Sequence, residues 1–428
     1  MRKLFFSVLP ALALTSALVS AQSATTGAPR IQSGFASDRL ARIDQFLQRY
    51  VDENQIAGAV AVVLRDGRPV YEKAVGWADK ESGRRMTTDA IFRIASQSKA
   101  ITSTAILMLM EEGRLSLGDP VSRYIPQFSH TTVATASDTG RVITKAKREI
   151  TIRDLLTHTS GISYGTDSIV APLYSAKSLG PAAGWGWYTA DKNEPICTTM
   201  ERLASLPFVA QPGEKWVYGY NLDVLGCVVE RASGIPFDQF LRTRITQPLG
   251  MNDTFFFIPP EKRQRLATVY MSDSSGHARR APEGPRGQGN YAEGPRRSFA
   301  GGAGLLSTTH DYGRFLQMLL NGGQLDGVRL LSPKTVALMT TNQVGALFDS
   351  FAPGRGFSLG FGTVDRLGGM DAVSVGSYGW GGAYGSVYLV DPKEGLVMMF
   401  MIQQLPNHAD VGDKFLTMVY QALVEPKT

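Results

Sequence analysis

The sequence predicts an α/β fold of the α+β type, in which both ends of the chain build one antiparallel sheet flanked by helices and a mainly helical region is inserted between them. Three observations carry this expectation. Near the N-terminus, "IAGAVAVVLRDGRPVYEKAVGWAD" holds two strand-like runs joined at Asp66-Gly67, a hairpin signal. Near the C-terminus, "AYGSVYLVDPKEGLVMMFMI" holds two more runs around a Pro/Gly turn, and a helix follows with Phe415, Met418, Val419, Ala422 and Leu423 on one face. Between them, roughly Ile91 to Arg297, helical periodicity and loops dominate.

Taken in order, the first residues place Arg2 and Lys3 before an apolar run from Leu4 to Val19, with small residues at Val19-Ser20-Ala21. This pattern predicts a signal peptide over 1–21 and an exported protein, periplasmic or secreted. The run is shorter than the roughly 20 apolar residues a membrane span needs, so no stable membrane anchor is expected. Residues 22–90 and 298–428 are assigned to the sheet domain and 91–297 to the inserted helical domain. Ser37 is positioned to cap a helix whose apolar residues Leu40, Ile43, Leu47, Tyr50 and Val51 recur at helical spacing.

Composition narrows the function classes. The chain is 43% hydrophobic and 19% charged, an ordinary globular balance that excludes a disordered tail. Its formal charge of +6 falls by two once Arg2 and Lys3 are removed, so nucleic acid is not an expected partner. Much of the basic excess lies in a Gly/Pro/Arg-rich stretch over 272–298, expected to be a solvated loop near the substrate entrance. The five histidines (130, 158, 277, 310 and 408) and two cysteines show no metal-ligand spacing, so neither metal nor cofactor is expected. Cys197 and Cys227 can pair after export, but Cys227 lies in the apolar run "DVLGCVVE", and a buried free thiol fits equally well.

Two serines compete for the role of nucleophile. "GFSLG" (Gly356 to Gly360) spells G-x-S-x-G, the pattern of a nucleophile elbow, but that turn needs a helix after the serine. The run after Ser358 is rich in glycine and β-branched residues without helical period, and only His408 remains downstream to act as base. It reads as a strand.

Ser96-Gln97-Ser98-Lys99 is the stronger candidate. Residues i and i+3 share a helix face, and the following stretch Ala100 to Met110 is small or apolar on every side, as in a helix buried all round. A lysine at the start of such a helix is partly desolvated, which helps its neutral amine accept the serine proton. The unpaired N–H groups of the helix start, that of Ser96 among them, face a developing oxyanion.

From these residues outward the chain resembles the serine β-lactamase and penicillin-binding protein superfamily. "SQSK" resembles its S-x-x-K motif, and "LLTHTSGI", "QPGEKWVYGYNLDVLGCVVE", "FAGGAGLLSTTHDYGRFLQMLLNGG" and "GWGGAYGSVYLVDP" resemble the class C β-lactamase-like branch in the same order. The resemblance covers about Asp38 to Val424 and implies a β-lactamase/transpeptidase-like fold. It implies that Tyr218 is the tyrosine of the Y-x-N motif, acting as general base with Lys99, and that Ala383 supplies the second oxyanion N–H beside that of Ser96. Tyr220 stands where the motif has its asparagine, with Asn221 one residue late. Trp380-Gly381-Gly382 stands where β-lactamases have K-T-G. An indole there offers an apolar wall and one donor instead of a cation, and the two glycines let a substrate lie against an edge strand. Tyr220, Trp380, Gly381 and Gly382 are therefore expected to shape substrate binding.

Trp-Gly-Gly in this place resembles the family VIII carboxylesterases. That implies hydrolysis of a neutral small-molecule ester through an acyl-enzyme on Ser96, with weak β-lactam turnover as a side activity. A β-lactamase or D-alanyl carboxypeptidase, an acyltransferase, and a catalytically silent ligand-binding or peptidoglycan-sensing module are the alternatives. Oligomeric state is left open.

Overall fold

The computed structural model describes residues 31–138, 140–179, 190–285 and 287–427, so the proposed signal segment lies outside the described residues. Helix α1 (Ser37–Asp52) buries Ile43, Phe46, Leu47 and Tyr50 on the predicted face. Its N-cap is Ala36 rather than Ser37, and no side chain caps it; Asp38 in the first turn meets the positive end of the helix dipole instead. Strands β1 (Gly58–Arg65) and β2 (Arg68–Asp79) pair antiparallel across Asp66 and Gly67, whose φ values of 50° and 75° are those of a two-residue hairpin turn. The short β3 (Arg84–Arg85) adds to β2.

Helix α2 (Ser98–Glu111) opens the inserted region, which continues through β4 (Thr132–Ser137), β5 (Gly140–Lys145), α3 (Ile152–Leu156), α4 (Ile196–Leu203), β6 (Pro207–Phe208) and α5 (Asn221–Ser233). Helix α6 (Thr309–Leu320) leads back to the sheet strands β7 (Arg355–Phe357), β8 (Gly362–Val364), β9 (Tyr378–Gly381), β10 (Val387–Asp391) and β11 (Leu396–Met401), followed by α7 (Val411–Ala422). The eight-stranded sheet has the order β7-β8-β9-β10-β11-β1-β2-β3 and every pairing in it is antiparallel.

Alternation along the central strands fills both faces of this sheet. Ala59, Ala61, Val63, Met398 and Phe400 pack against α1 and α7, while Val60, Val62, Val397, Met399 and Met401 join the larger core that contains α2 and α6. Each large aliphatic or aromatic side chain buried here contributes about 1.5–3 kcal/mol.

The inserted region departs from its expected helical character. Strand β4 pairs antiparallel with β5 and parallel with β6, forming a three-stranded sheet. Strand β5 is exposed along its whole length, so no buried face imposes the alternation that would have betrayed it in sequence.

The 272–298 stretch is also not an open loop. Ala278–Arg280 pairs with Tyr270–Ser272, and the Gln288 side chain, itself buried, bonds the N–H and C=O of Val269 and the C=O of Ala281. Tyr291 is buried with the Arg93 guanidinium 5.2 Å from its ring centre. Ala281 and Val269 pack with Ala95 and Tyr384, so this segment braces the wall behind Ser96. Its anchors are single residues scattered among glycines and prolines, a pattern without period. Cys197 on α4 and Cys227 on α5 are joined as a disulfide, with Cα atoms 5.0 Å apart.

Candidate active site

Ser96 lies in a single 3-10 turn, Ala95–Gln97, that runs straight into α2. Ala95 before it has φ of 45°, in the left-handed region, a conformation that costs a non-glycine residue on the order of 1 kcal/mol and survives only when its surroundings enforce it. Here Ile94 N–H bonds the Leu305 carbonyl on one side, and Ala95 is clamped by Val269, Ala281 and Tyr384 on the other.

One turn on, Lys99 is 1% exposed and its Nζ donates to the Gly302 carbonyl at 2.7 Å, the Tyr164 hydroxyl at 3.0 Å and the Ser96 Oγ at 3.2 Å. Gly302 N–H in turn donates to Asp223 Oδ1 at 3.1 Å, so a carboxylate fixes the residue whose carbonyl grips the amine. The Lys99 amine also sits 4.6 Å from the centre of the Tyr218 ring.

Tyr218 meets the amine with its ring face, while its hydroxyl accepts a hydrogen bond from Trp380 Nε1 at 3.0 Å. The hydrogen bond from the amine to a phenol oxygen goes to Tyr164, at 3.0 Å. Burial, with Tyr218 and Asp223 close by, pushes the Tyr164 phenol well above its usual range, so it stays protonated. Sequence reasoning missed Tyr164 because a tyrosine in the turn after "THTSG" carries neither period nor motif.

Tyr220 does not line the cleft. It is 1% exposed, donates its hydroxyl to the Leu179 carbonyl at 3.2 Å and packs edge-on against Tyr164. Asn221 is buried too: its amide N–H₂ faces the carbonyls of Ile162 and Val217 and bonds His158 Nδ1 at 2.8 Å, while its oxygen accepts from the Ser160 hydroxyl. Those carbonyls orient the amide, so Nδ1 of His158 is the acceptor and the ring proton is on Nε2. His158 follows α3, whose start is fixed by a reciprocal Thr151–Asp154 capping box, and its ring lies 4.6 Å from that of Tyr218. Burial and the Lys99 charge hold its pKa well below the usual value, so it is a neutral support.

On the facing side, β9 is an inner strand of the sheet and not an edge strand, but β8 pairs only with Tyr378 and Gly379. Trp380 and Gly381 project beyond that pairing. A Cβ on Gly382 would lie 2.7 Å from the Ile94 carbonyl, so this glycine serves close packing of the 380–383 segment against the Ser96 turn. The N–H groups of Ser96 and Ala383 donate to no acceptor among the described residues, and both residues line one cleft of about 390 Å³ with Tyr218, Trp380, Phe348 and Phe351. A hydroxyl beside a sequestered amine, with two free N–H donors on the same cleft, is an arrangement able to activate a nucleophile and hold an oxyanion.

Ser358 is fully buried, its hydroxyl donates to the Phe361 carbonyl at 3.2 Å, and the chain runs from it into β8 rather than into a helix. It has no access to the cleft. Among the described residues no helix is long and apolar enough to cross a membrane.

A family model described as Beta-lactamase matches residues 43–422. Esterase EstB of Burkholderia gladioli is 32% identical over 381 residues, covering 86% of this chain and 91% of that protein. Among solved structures, EstCE1, described as a hydrolase with promiscuous acyltransferase activity, superposes with a TM-score of 0.75 at 26% identity, covering 90% of this chain and 99% of that one. Unliganded, selenomethionyl simvastatin synthase (LovD) from Aspergillus terreus gives a TM-score of 0.75 at 28% identity, covering 91% and 98%.

Proposed function

The chain belongs to the Beta-lactamase family and is a serine hydrolase, and from that premise we propose that it is a carboxylesterase acting on small-molecule esters of short to medium chain length. The observation that carries this reading is the Ser96 Oγ held 3.2 Å from Lys99 Nζ on the same cleft as the free N–H groups of Ser96 and Ala383. Ser96 attacks the ester carbonyl, its proton passing to the pair of Lys99 and Tyr218. The two N–H groups hold the oxyanion, the alcohol leaves with a proton relayed through Lys99 and Tyr218, and water activated by the same pair frees the acid from the acyl-enzyme. Tyr164 is a positioning residue that keeps the amine aimed at Ser96.

An indole at Trp380, where a cation would attract a carboxylate close to the scissile bond, favours a substrate uncharged at its reacting centre. The relative named as an esterase supports the same choice. Acyl transfer to an added alcohol is the second reading, favoured by the likeness to EstCE1 and LovD; release of a new ester in place of the free acid distinguishes it. Hydrolysis of a chromogenic cephalosporin at rates rivalling a short-chain ester would point to a lactam substrate. Export is part of the proposal, and the Cys197–Cys227 disulfide suits an oxidising compartment.

The test is turnover of p-nitrophenyl butyrate by wild type, Ser96→Ala and Ser358→Ala, each checked for folding. Ser96→Ala should lose about 10³-fold or more of kcat, and Ser358→Ala should retain most activity. The reverse pattern would overturn the assignment.

A further inference from the structure

Strand β7 carries Arg355 and Phe357 on one face, and Phe357 packs against Trp380 with ring centres 5.2 Å apart. Arg355 therefore faces the cleft that holds Ser96, and it lines that cleft. Gly362, opposite Phe357 on the neighbouring strand, makes room for it: a Cβ there would lie 3.1 Å from Arg355 Nη2 and 3.2 Å from the Trp380 ring, which places the guanidinium beside the indole.

What distinguishes this arginine is its lack of a partner. Among the described residues its guanidinium makes no ion pair or hydrogen bond, and its Nε is buried and unpaired. Other partly buried arginines are held: Arg148 by Asp154, Arg202 by Glu194, Arg265 by Asp253. Of the charged groups around Arg355, Asp413 on α7 lines the same cleft but lies beyond ion-pair distance, and Asp365 is taken up by Asn342 and Thr363. Arg355 and Asp413 also line a second hollow of about 290 Å³, together with Met370, Asp371 and Tyr420. A half-buried, unpaired guanidinium is costly, and a planar five-donor fork is suited to a carboxylate. Burial pulls its pKa down from an ordinary value so high that it stays charged at neutral pH.

We propose that Arg355 forms an anion subsite of the cleft, beside the Trp380 ring, so that the esters this protein turns over carry a carboxylate on one arm. This rests on the esterase reading and deepens it: the substrate is neutral where Trp380 meets it and anionic where Arg355 does.

Two matched pairs of esters test the subsite, one for each arm. On the acyl arm, p-nitrophenyl hexanoate is compared with mono-p-nitrophenyl adipate; on the alcohol arm, butyl butyrate is compared with the butyrate ester of 4-hydroxybutanoate. The readout is the ratio of kcat/KM within each pair, for wild type, Arg355→Met, Arg355→Lys and Asp413→Asn, with melting temperatures to verify folding. Wild type should favour the carboxylate member of at least one pair by about tenfold or more. Arg355→Met should bring that ratio to about one, Arg355→Lys should keep part of it, and Asp413→Asn should raise it. A wild-type ratio near or below one in both pairs, or a preference that survives Arg355→Met, overturns the proposal. If none of the four esters is turned over, the esterase reading fails separately, and calorimetry with adipate alone decides the subsite. Binding to wild type that is lost in Arg355→Met retains it, and equal or absent binding rejects it.

Discussion

His158 performs no chemistry in the proposed mechanism, yet it sets an acid limit on the fold. Its native pKa lies well below the ordinary 6.5 because burial and Lys99 oppose protonation, so between those two values the unfolded chain binds more protons than the native one. The stability it allows is therefore full above about pH 6.5 and lost as pH falls below it, with a slope approaching 1.4 kcal/mol per pH unit. Asp191 acts the other way: its carboxyl is raised to about 6, so its contribution is present at low pH and fades as pH rises through 6. Comparing wild type with His158→Gln isolates the histidine. Urea midpoints should show wild type losing about 1 kcal/mol more than the variant between pH 6.5 and 5.5, and equal losses would refute the buried-neutral assignment. At this scale Ser96 and Lys99 were legible because a three-residue spacing at the head of an apolar helix has physical meaning. Tyr164, Arg355 and the inward turn of Tyr220 were not, since they depend on which way a loop or strand end faces after folding.

Among the elements, the contact between the 380–383 segment and the start of α2 governs the oxyanion site. Gly382 packs on the Ile94 carbonyl, and a methyl group there would push the Ala383 N–H away from Ser96. Gly382→Ala should lower kcat by about 10²-fold, the loss typical of a displaced oxyanion donor, while the urea midpoint changes little. Full activity in this variant would mean that the segment yields without moving Ala383. The hairpin β1–β2 and helices α1, α2 and α7 could be read from turn chemistry and from one-sided or all-round apolar patterning. Strand β5 could not, because exposure on both faces removes the alternation, and the anchoring of Gln288 and Tyr291 in the 272–298 segment rests on individual contacts that no local pattern announces.

For the molecule as a whole, the pairing of β11 with β1 is the seam that joins the two ends of the chain. Arg65 and Glu394 form a buried ion pair across it, 3.4 Å apart, and Arg65 also donates to the carbonyls of Ser33 and Glu425. Glu394→Gln leaves that guanidinium without its counter-charge in a site 8% exposed, and should cost about 3 kcal/mol in urea unfolding; an unchanged midpoint would mean that backbone carbonyls alone satisfy Arg65. The two-ended sheet was visible in sequence because each end carries its own apolar runs, whereas the register between them is a long-range choice made by packing. Gly34 accepts hydrogen bonds from the N–H groups of Val424 and Glu425, and Phe35 bridges to Leu423. Topologically the backbone is a ring with one link open, and the cleft belongs to the cyclic order of its segments rather than to any starting point. A peptide bond closing that gap, with a new opening at the exposed turn around Gly113, would leave Ser96, Tyr218 and Trp380 in the same spatial relation.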